Sequence, residues 1–410
     1  MNKPPERFGG DAGRGRVGPR VAWATWCGVW GLCAWALALA LVGGACRDPA
    51  ELDPEAPAEP ASVAPAALAP VVDAALDGLP VPMARDGAFR RGVSLGLFVS
   101  TDAAAERRSI YATLLDEIVD VGATDVQIVV RWAQADVGAT AIGPKDRLTP
   151  ADEELTWVVE QAHTRGLRVF LMPIVHLETR GKREWRGTLR PLTPEAWWAS
   201  YGAFVMHYAR LAAASSVDLF AVGSELVSME IEEARWRALI GQVRQVFKGK
   251  LTYSANWDHF EPIGFWDAVD VVGVTAYQEL SRRRGPSEKE LEQGWGPFVG
   301  RLRGWAARQG HRYLLTEVGY PSNPFGAFRP WDYRPRGEPD PALQLRCYRT
   351  MMRVWHDDPR LDGLFVWNWF GFGGLEDRDY TPRGKPAARV LQRWFEDSRV
   401  SPAATESKAP

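Results

Sequence analysis

Short apolar runs alternate with longer amphipathic stretches between residues 91 and 397. Each apolar run has six to eight residues and ends at Gly, Pro or charged residues, which is typical of a buried parallel strand rather than a helix. Eight such strands are predicted, at residues 92–99, 125–131, 168–175, 217–223, 251–256, 271–277, 312–317 and 363–368.

Amphipathic stretches with helical spacing separate most of these strands. The connection at residues 260–268 has the weakest helical pattern. Eight strands with mostly helical crossovers predict an α/β protein, a single closed (β/α)8 TIM barrel, for which about 250 residues is usual. An open doubly wound sheet is the alternative. The predicted helices are residues 104–121, 150–165, 194–214, 232–247, 288–309, 341–357 and 385–396.

The N-terminal segment has a different pattern. Five basic residues precede an apolar stretch at 21–45, and Cys46 follows it, which predicts an export signal. The sequence GGAC at 43–46 resembles a bacterial lipoprotein cleavage box, although Gly43 stands where that box usually has a branched residue. An uncleaved membrane anchor and ordinary secretion are the alternatives. We expect a membrane-anchored lipoprotein of the cell envelope, lipidated at Cys46.

Composition and charge complete the predicted organisation. Residues 1–46 form the signal and lipoprotein anchor, 47–84 a disordered tether rich in Ala and Pro, 85–398 the barrel, and 399–410 a disordered tail. A formal net charge of −2 gives no reason to expect nucleic acid as a partner. Cys347 is the only cysteine of the barrel, and the six histidines show no metal-binding spacing. We therefore expect a monomer with no metal and no cofactor.

Two glutamates close predicted strands. Glu225 follows the fourth strand and Glu317 ends the seventh. The carboxyl ends of barrel strands carry the active site, and two carboxyl groups flanking one pocket can cleave a glycosidic bond. Singly, Glu225 could stabilise a helix N-terminus and Glu317 could pair with an arginine. Together they predict a catalytic pair.

Other strand ends supply candidate ligands for a sugar. An arginine and a tyrosine hydroxyl would keep a nucleophilic carboxylate ionised, and flat aromatic rings match the C–H faces of pyranose rings. Core filling is the alternative for each aromatic residue. The predicted substrate-binding residues at these ends are Arg131, Trp132, His176, Asn256, Trp257, Tyr277, Trp367 and Trp369.

Several motifs resemble glycoside hydrolase family 113, a family of retaining (β/α)8 glycosidases known chiefly for β-1,4-mannanases. They are GSEL at 223–226, LTYSANWD at 251–258, FWD at 265–267, GVTAY at 273–277, TEVGY at 316–320 and YTPRGKP at 380–386. The resemblance covers essentially the whole barrel. It implies that Glu225 is the general acid/base, that Glu317 is the nucleophile in contact with Tyr277, and that Trp367 lies beneath the sugar.

One position departs from the wider clan to which this family belongs. Ser224 precedes the acid/base, where an asparagine that holds the sugar 2-hydroxyl is usual. The hydrogen bond to the sugar 2-hydroxyl is therefore expected either to come from another side chain, such as Asn256, or to be absent. For a retaining mechanism the two carboxyl groups should stand about 5–5.5 Å apart.

The predicted function is therefore hydrolysis of a β-linked oligo- or polysaccharide, foremost endo-acting cleavage of β-1,4-mannan. Three alternatives stay open. They are a hydrolase or transglycosylase of another β-glycan, a carbohydrate-binding surface protein without activity, and a barrel enzyme acting on a non-carbohydrate substrate.

Overall fold

Eight parallel strands close into a barrel and follow one another around it in chain order. The computed structural model describes residues 76–97, 103–334 and 337–399. The predicted (β/α)8 barrel is confirmed, and the open sheet is excluded. The strands are β1 (Arg90–Gly96), β2 (Asp125–Gln134), β3 (Arg168–Leu177), β4 (Leu219–Ser224), β5 (Lys250–Ala255), β6 (Val271–Thr275), β7 (Tyr313–Val318) and β8 (Leu361–Val366).

In the described part of the chain, helices fill six of the seven connections between strands, and a seventh helix follows β8. Between β5 and β6 the chain forms only a short 3-10 turn, Trp266–Ala268, where the helical pattern was weakest. Two further 3-10 turns, Arg186–Thr188 and Val227–Met229, follow β3 and β4. The helices are α1 (Ala104–Asp120), α2 (Asp152–Thr164), α3 (Pro194–Ala214), α4 (Glu233–Val246), α5 (Glu288–Gln309), α6 (Pro341–Trp355) and α7 (Pro386–Asp397).

Helix ends form where the sequence supplies capping residues. The Ser287 side chain accepts a hydrogen bond from the Glu290 amide, and the Glu290 side chain bonds back to Ser287, which makes a capping box at the start of α5. Gly310 ends the same helix with φ of 74°, a conformation that favours glycine. Asp340 caps α6 by accepting from the Leu343 amide.

Apolar side chains pack in two layers. A small cluster fills the barrel interior, and a much larger one lies between the strands and the helices. Because side chains alternate along a strand, one residue faces the barrel axis and the next faces a helix. The interior cluster contains Val129, Phe170, Met172, Ile174, Leu219, Ala221, Leu314 and Phe365.

Residues 76–84 lie against the barrel rather than in the predicted tether. Leu76 and Leu79 pack on the outer core, and the Met83 amide donates to the His356 carbonyl. Arg85 and Arg399 form a parallel bridge. The packed domain thus extends N-terminally of the boundary predicted at residue 85, because apolar residues continue upstream of it.

The predicted signal, Cys46 and most of the tether lie outside the described residues, as do residues 400–410 of the predicted tail. Among the described residues, no helix is both long and apolar enough to cross a membrane.

Candidate active site

Glu225 stands at the first position after β4 with an unusual backbone conformation. Its φ is 54°, which is uncommon for a residue other than glycine and occurs often at functional sites. Its amide donates to the Ser254 carbonyl at 2.8 Å, and the Leu226 amide donates to the Tyr253 hydroxyl at 2.9 Å. Hydrogen bonds from β5 therefore hold the backbone on both sides of the turn.

The Glu225 carboxylate is buried and has a donor on each oxygen. Arg186 Nη2 donates to Oε2 at 2.6 Å, and the Thr275 hydroxyl donates to Oε1 at 2.9 Å. Arg186 comes from the loop between β3 and α3, whereas Thr275 ends β6. Hydrogen bonds from a charged guanidinium and a neutral hydroxyl therefore fix the orientation of this carboxylate.

Glu317 lies in β7, and its carboxyl group is more deeply buried. The Tyr277 hydroxyl donates to Oε2 at 3.0 Å. Its Oε1 atom is buried and has no hydrogen-bond partner among the described residues. Burial, followed by the negative charge of Glu225, raises the pKa of Glu317 above its usual range, and Arg186 and Tyr277 oppose this only in part.

Thr275 and Tyr277 connect the two glutamates. Thr275 is the register partner of Glu317 in the β6–β7 pair and donates its hydroxyl to Glu225. Tyr277 is two residues further on and bonds Glu317. Burial raises the Tyr277 pKa, and both glutamates raise it further. The two carboxyl groups thus share one buried site, as the sequence predicts, while their predicted separation of 5–5.5 Å stays a prediction.

Three further predicted residues face the barrel axis. Arg131, His176 and Trp367 each lie two residues beyond an interior residue of their strand, and Trp367 packs directly on the interior cluster. Burial lowers the pKa of Arg131 to about 10, and burial together with the Arg131 charge lowers the pKa of His176 to about 4. His176 is therefore neutral at pH 7.

Ser224 and Asn256 sit beside this group on neighbouring strand ends. Ser224 is buried, and its hydroxyl has no hydrogen-bond partner in the described part of the chain. Asn256 Nδ2 donates to Asp258 Oδ1 at 2.5 Å, which orients the amide. These polar groups provide hydrogen-bonding capacity near the two carboxyl groups.

Trp132 and Trp369 have different surroundings. The Trp132 ring lies 5.2 Å from the rings of Phe204 and His207 in α3. Trp369 is buried, and its indole N–H donates to Glu117 of α1 at 3.0 Å. Both indoles therefore pack against outer helices, and the structure does not bring them to the carboxyl groups. For Trp132 the sequence already predicts this, because adjacent residues of a strand face opposite sides of the sheet and its neighbour Arg131 faces the barrel axis.

Aromatic loop residues approach the site from above. Trp257, which follows β5, stacks on Trp331 with ring centroids 6.1 Å apart. Trp331 belongs to the loop between β7 and α6, and Tyr333 of the same loop lies under the Arg180 guanidinium, 5.0 Å away. Arg180 belongs to the β3–α3 loop, so loops from opposite sides of the barrel meet here.

The sequence pattern did not identify Arg186 or Thr275 as site residues. Thr275 was detectable, because it lies two residues before Tyr277. Arg186 carries no such signal, since nothing local fixes which arginine of a loop turns toward the site. A third set, Tyr253, Glu230 and His259, was also missed: Glu230 accepts from the Tyr253 hydroxyl and contacts His259 Nδ1, each at 2.6 Å.

Within residues 76–97, 103–334 and 337–399, no group of three or more His, Cys, Asp and Glu side chains is placed to hold a metal ion.

Comparison with known proteins bears on the family of this chain. The model of Glycoside Hydrolase Family 113 matches residues 101–380. A GH113 β-mannanase from Alicyclobacillus acidocaldarius, solved in complex with ManMIm, is 30% identical with a TM-score of 0.66, and the match covers 75% of this chain and 97% of that one.

Two other solved structures are similar in fold. A GH113 β-1,4-mannanase complex is 23% identical with a TM-score of 0.66, covering 75% of this chain and 99% of its own. A GH5_18 protein from Streptomyces cattleya, in complex with GlcNAc, is 15% identical with a TM-score of 0.50, covering 81% and 82%. No curated protein matches the chain. The match over residues 101–380 shows that this chain belongs to glycoside hydrolase family 113 and is a glycoside hydrolase.

Proposed function

We propose that this protein is a retaining endo-β-1,4-mannanase in which Glu225 is the general acid/base and Glu317 the nucleophile. The observation that carries the proposal is the buried pair at the ends of β4 and β7, joined through Thr275 and Tyr277 of one strand end. Burial, followed by the negative charge of Glu225, raises the pKa of Glu317. This favours a pair that holds one proton near neutral pH, as two-step glycoside cleavage requires.

The reaction proceeds by two displacements. Glu317 attacks the anomeric carbon while Glu225 gives its proton to the departing oxygen, and a glycosyl-enzyme ester forms as the glycosidic bond breaks. Glu225 then takes a proton from water, the water oxygen bonds to the anomeric carbon, and Glu317 leaves as a carboxylate. Tyr277 stabilises Glu317 whenever it is ionised, because its hydroxyl donates to Oε2.

The sugar at the cleavage point lies on Trp367 in this proposal. Its hydroxyl groups meet the polar residues around the pair, namely Ser224, Asn256, Arg131 and the neutral His176. Trp257 and the Trp331 ring stacked on it line the path of the chain beyond that sugar. Trp132 and Trp369 support this surface from the outer layer.

The substrate is a β-linked mannan chain in this proposal. The similarity that supports it is to the Alicyclobacillus β-mannanase, at 30% identity over nearly the whole of that protein. We also propose that the enzyme is exported and held at the cell envelope through lipidated Cys46. Growth with a labelled fatty acid tests the anchor, since Cys46→Ser should abolish incorporation of the label.

Hydrolysis assays test the enzymatic proposal. The full chain is incubated with manno-, gluco- and xylo-oligosaccharides, and the anomer formed first is identified by proton NMR. We expect the mannan series to be cleaved fastest with retained β configuration. Glu225→Ala and Glu317→Ala should each reduce turnover at least a hundredfold, whereas Glu153→Ala, an exposed glutamate of α2, should not. Faster cleavage of the glucan or xylan series would show that mannan is not the preferred substrate. Formation of the α-anomer first would refute the retaining mechanism.

A further inference from the structure

The contact between Arg186 and Glu225 bears on the order of proton transfers. The first displacement needs Glu225 protonated, whereas the second needs it ionised. In the structure Arg186 and Thr275 donate to both of its oxygens. Each oxygen thus accepts a hydrogen bond from the protein, and the charged one comes from Arg186. This contact of Glu225 with a cation suits the second displacement, in which Glu225 acts as a base, better than the first.

Charged and titratable groups around the pair come from several elements. They are Arg131 of β2, His176 of β3, Arg186 of the β3–α3 loop, Glu230 after β4, Tyr277 after β6 and Tyr380 of the β8–α7 loop. Arg131 and Arg186 are cationic, and Arg186 bonds Glu225 directly. Burial and the charge of Glu225 raise the pKa of Glu317, which favours a proton on that group.

The Arg186 guanidinium is held to the carboxylate by one bond. Its Nη2 atom reaches Glu225, while its Nε atom is buried without a hydrogen-bond partner in the described part of the chain. Its side chain is 24% exposed, against 9% for Glu225. A single charge-assisted bond at a partly open position can be exchanged for a bond to a ligand oxygen.

The turn that carries Arg186 is fixed independently of Glu225. Thr188 bonds the backbone of Trp185 in both directions, through its hydroxyl and its amide. The Trp185 ring covers Gly187 so closely that a Cβ there would lie 2.4 Å from it. The backbone of the turn is therefore rigid, and exchange of partners requires only rotation of the Arg186 side chain.

We propose that Arg186 is a positioning residue that holds Glu225 as the base for the second displacement and must release it before the first. This inference rests on the proposed function. The sugar on the leaving-group side takes the place of Arg186 beside Oε2 of Glu225. Glu225 then receives the proton of the pair from Glu317, which becomes the ionised nucleophile. After cleavage the departing sugar leaves, Arg186 returns, and Glu225 is again a carboxylate that can deprotonate water.

A titration tests the protonation without any need for turnover. The full chain is labelled with 13C at the glutamate side-chain carboxyl carbons, and Glu225 and Glu317 are assigned from the signals lost in Glu225→Gln and Glu317→Gln. In Arg186→Gln we expect the pKa of Glu225 to rise by about one unit or more, because the stabilising cation is gone. Arg183→Gln removes an equal charge from an exposed position of the same loop and should change the titration little. Equal titration in the two variants would overturn the proposal.

Kinetics separate the two displacements. With an aryl β-mannoside whose leaving group departs without a proton, the second displacement limits the rate. Arg186→Gln should lower kcat on this substrate about tenfold, and azide, a nucleophile that needs no base, should restore it. Arg186→Lys should retain most of the rate, because one N–H donor suffices. A loss that azide does not restore would refute the role in the second displacement. If the wild-type enzyme cleaves no β-glycoside, the proposed function fails, but the titration still decides what Arg186 does.

Discussion

Acidic residues at the two ends of the barrel have opposite surroundings. At the N-terminal ends of the strands, Asp125 is fully buried and forms salt bridges with Arg90 and Arg168, each at 2.6 Å. At the C-terminal ends, Glu317 is nearly as buried, yet it has one tyrosine donor and an oxygen without a partner among the described residues. The same chemical group is neutralised at one end and left reactive at the other.

The other acids at the strand starts follow Asp125. Asp218 accepts from the Val169 amide at 2.8 Å, Asp270 accepts from the Leu251 amide at 2.7 Å, and Asp362 pairs with Arg312 at 2.5 Å. Each connects neighbouring strands. These acids stabilise the barrel at the strand starts, whereas Glu317 at the mouth reduces stability in exchange for reactivity.

Replacing Glu317, the reactive acid at the barrel mouth, should have the largest effect on activity. We expect Glu317→Gln to lower kcat at least a thousandfold, because no nucleophile remains, and to raise the melting temperature at neutral and alkaline pH. The raised pKa means that the folded protein binds this proton more tightly than the unfolded chain does. Its stability therefore falls as pH rises from the usual glutamate range through the raised pKa. Calorimetry should show the gain in Glu317→Gln growing over that range and vanishing in acid.

Replacing Asp125 should produce the reverse result. Asp125→Ala leaves Arg90 buried without its carboxylate, which should cost about 3–5 kcal/mol of unfolding free energy. Asp116→Ala is the matched control, since its pair with Arg165 is exposed and should contribute little to stability. Urea denaturation measures both. If Asp125→Ala protein that is still fully folded under the assay conditions loses most of its kcat, the division of roles between the two ends of the barrel is wrong.

Tyr277→Phe should have an intermediate effect. It removes the hydrogen bond to the Glu317 carboxyl group and leaves the ring in place. A bond to a charged group contributes about 1.5–3 kcal/mol, so kcat should fall roughly ten- to a hundredfold. The limb of the kcat/KM profile that reports Glu317 should also move to higher pH, since the tyrosine lowers the pKa of Glu317. Tyr348→Phe, a buried tyrosine whose hydroxyl has no partner among the described residues, should leave both unchanged.

The sequence predicts the fold better than it predicts the site. Apolar periodicity located all eight strands, and even the missing helix after β5 was visible as a weak pattern. Glu225 and Glu317 were found because strand ends converge in a barrel. Arg186 was not, because a loop side chain can turn toward any neighbour. Trp369 shows the converse, since position near a strand end does not by itself reveal which side of the barrel a ring occupies, whereas for Trp132 the alternation of side chains along β2 does.

Replacing Trp369 should give the smallest effect and separate the two explanations most clearly. This residue lies near the barrel mouth, yet its indole N–H already has a hydrogen-bond partner, Glu117. If contacts rather than position decide a role, then Trp369→Phe should lower the unfolding free energy by about 1 kcal/mol through loss of the bond to Glu117. KM on mannan oligosaccharides should change less than twofold. Trp367→Phe, at the axis-facing position of the same strand end, should instead raise KM with little loss of stability. A large increase of KM in Trp369→Phe would show that this indole reaches the substrate, and that hydrogen-bond satisfaction does not separate structural from functional residues here.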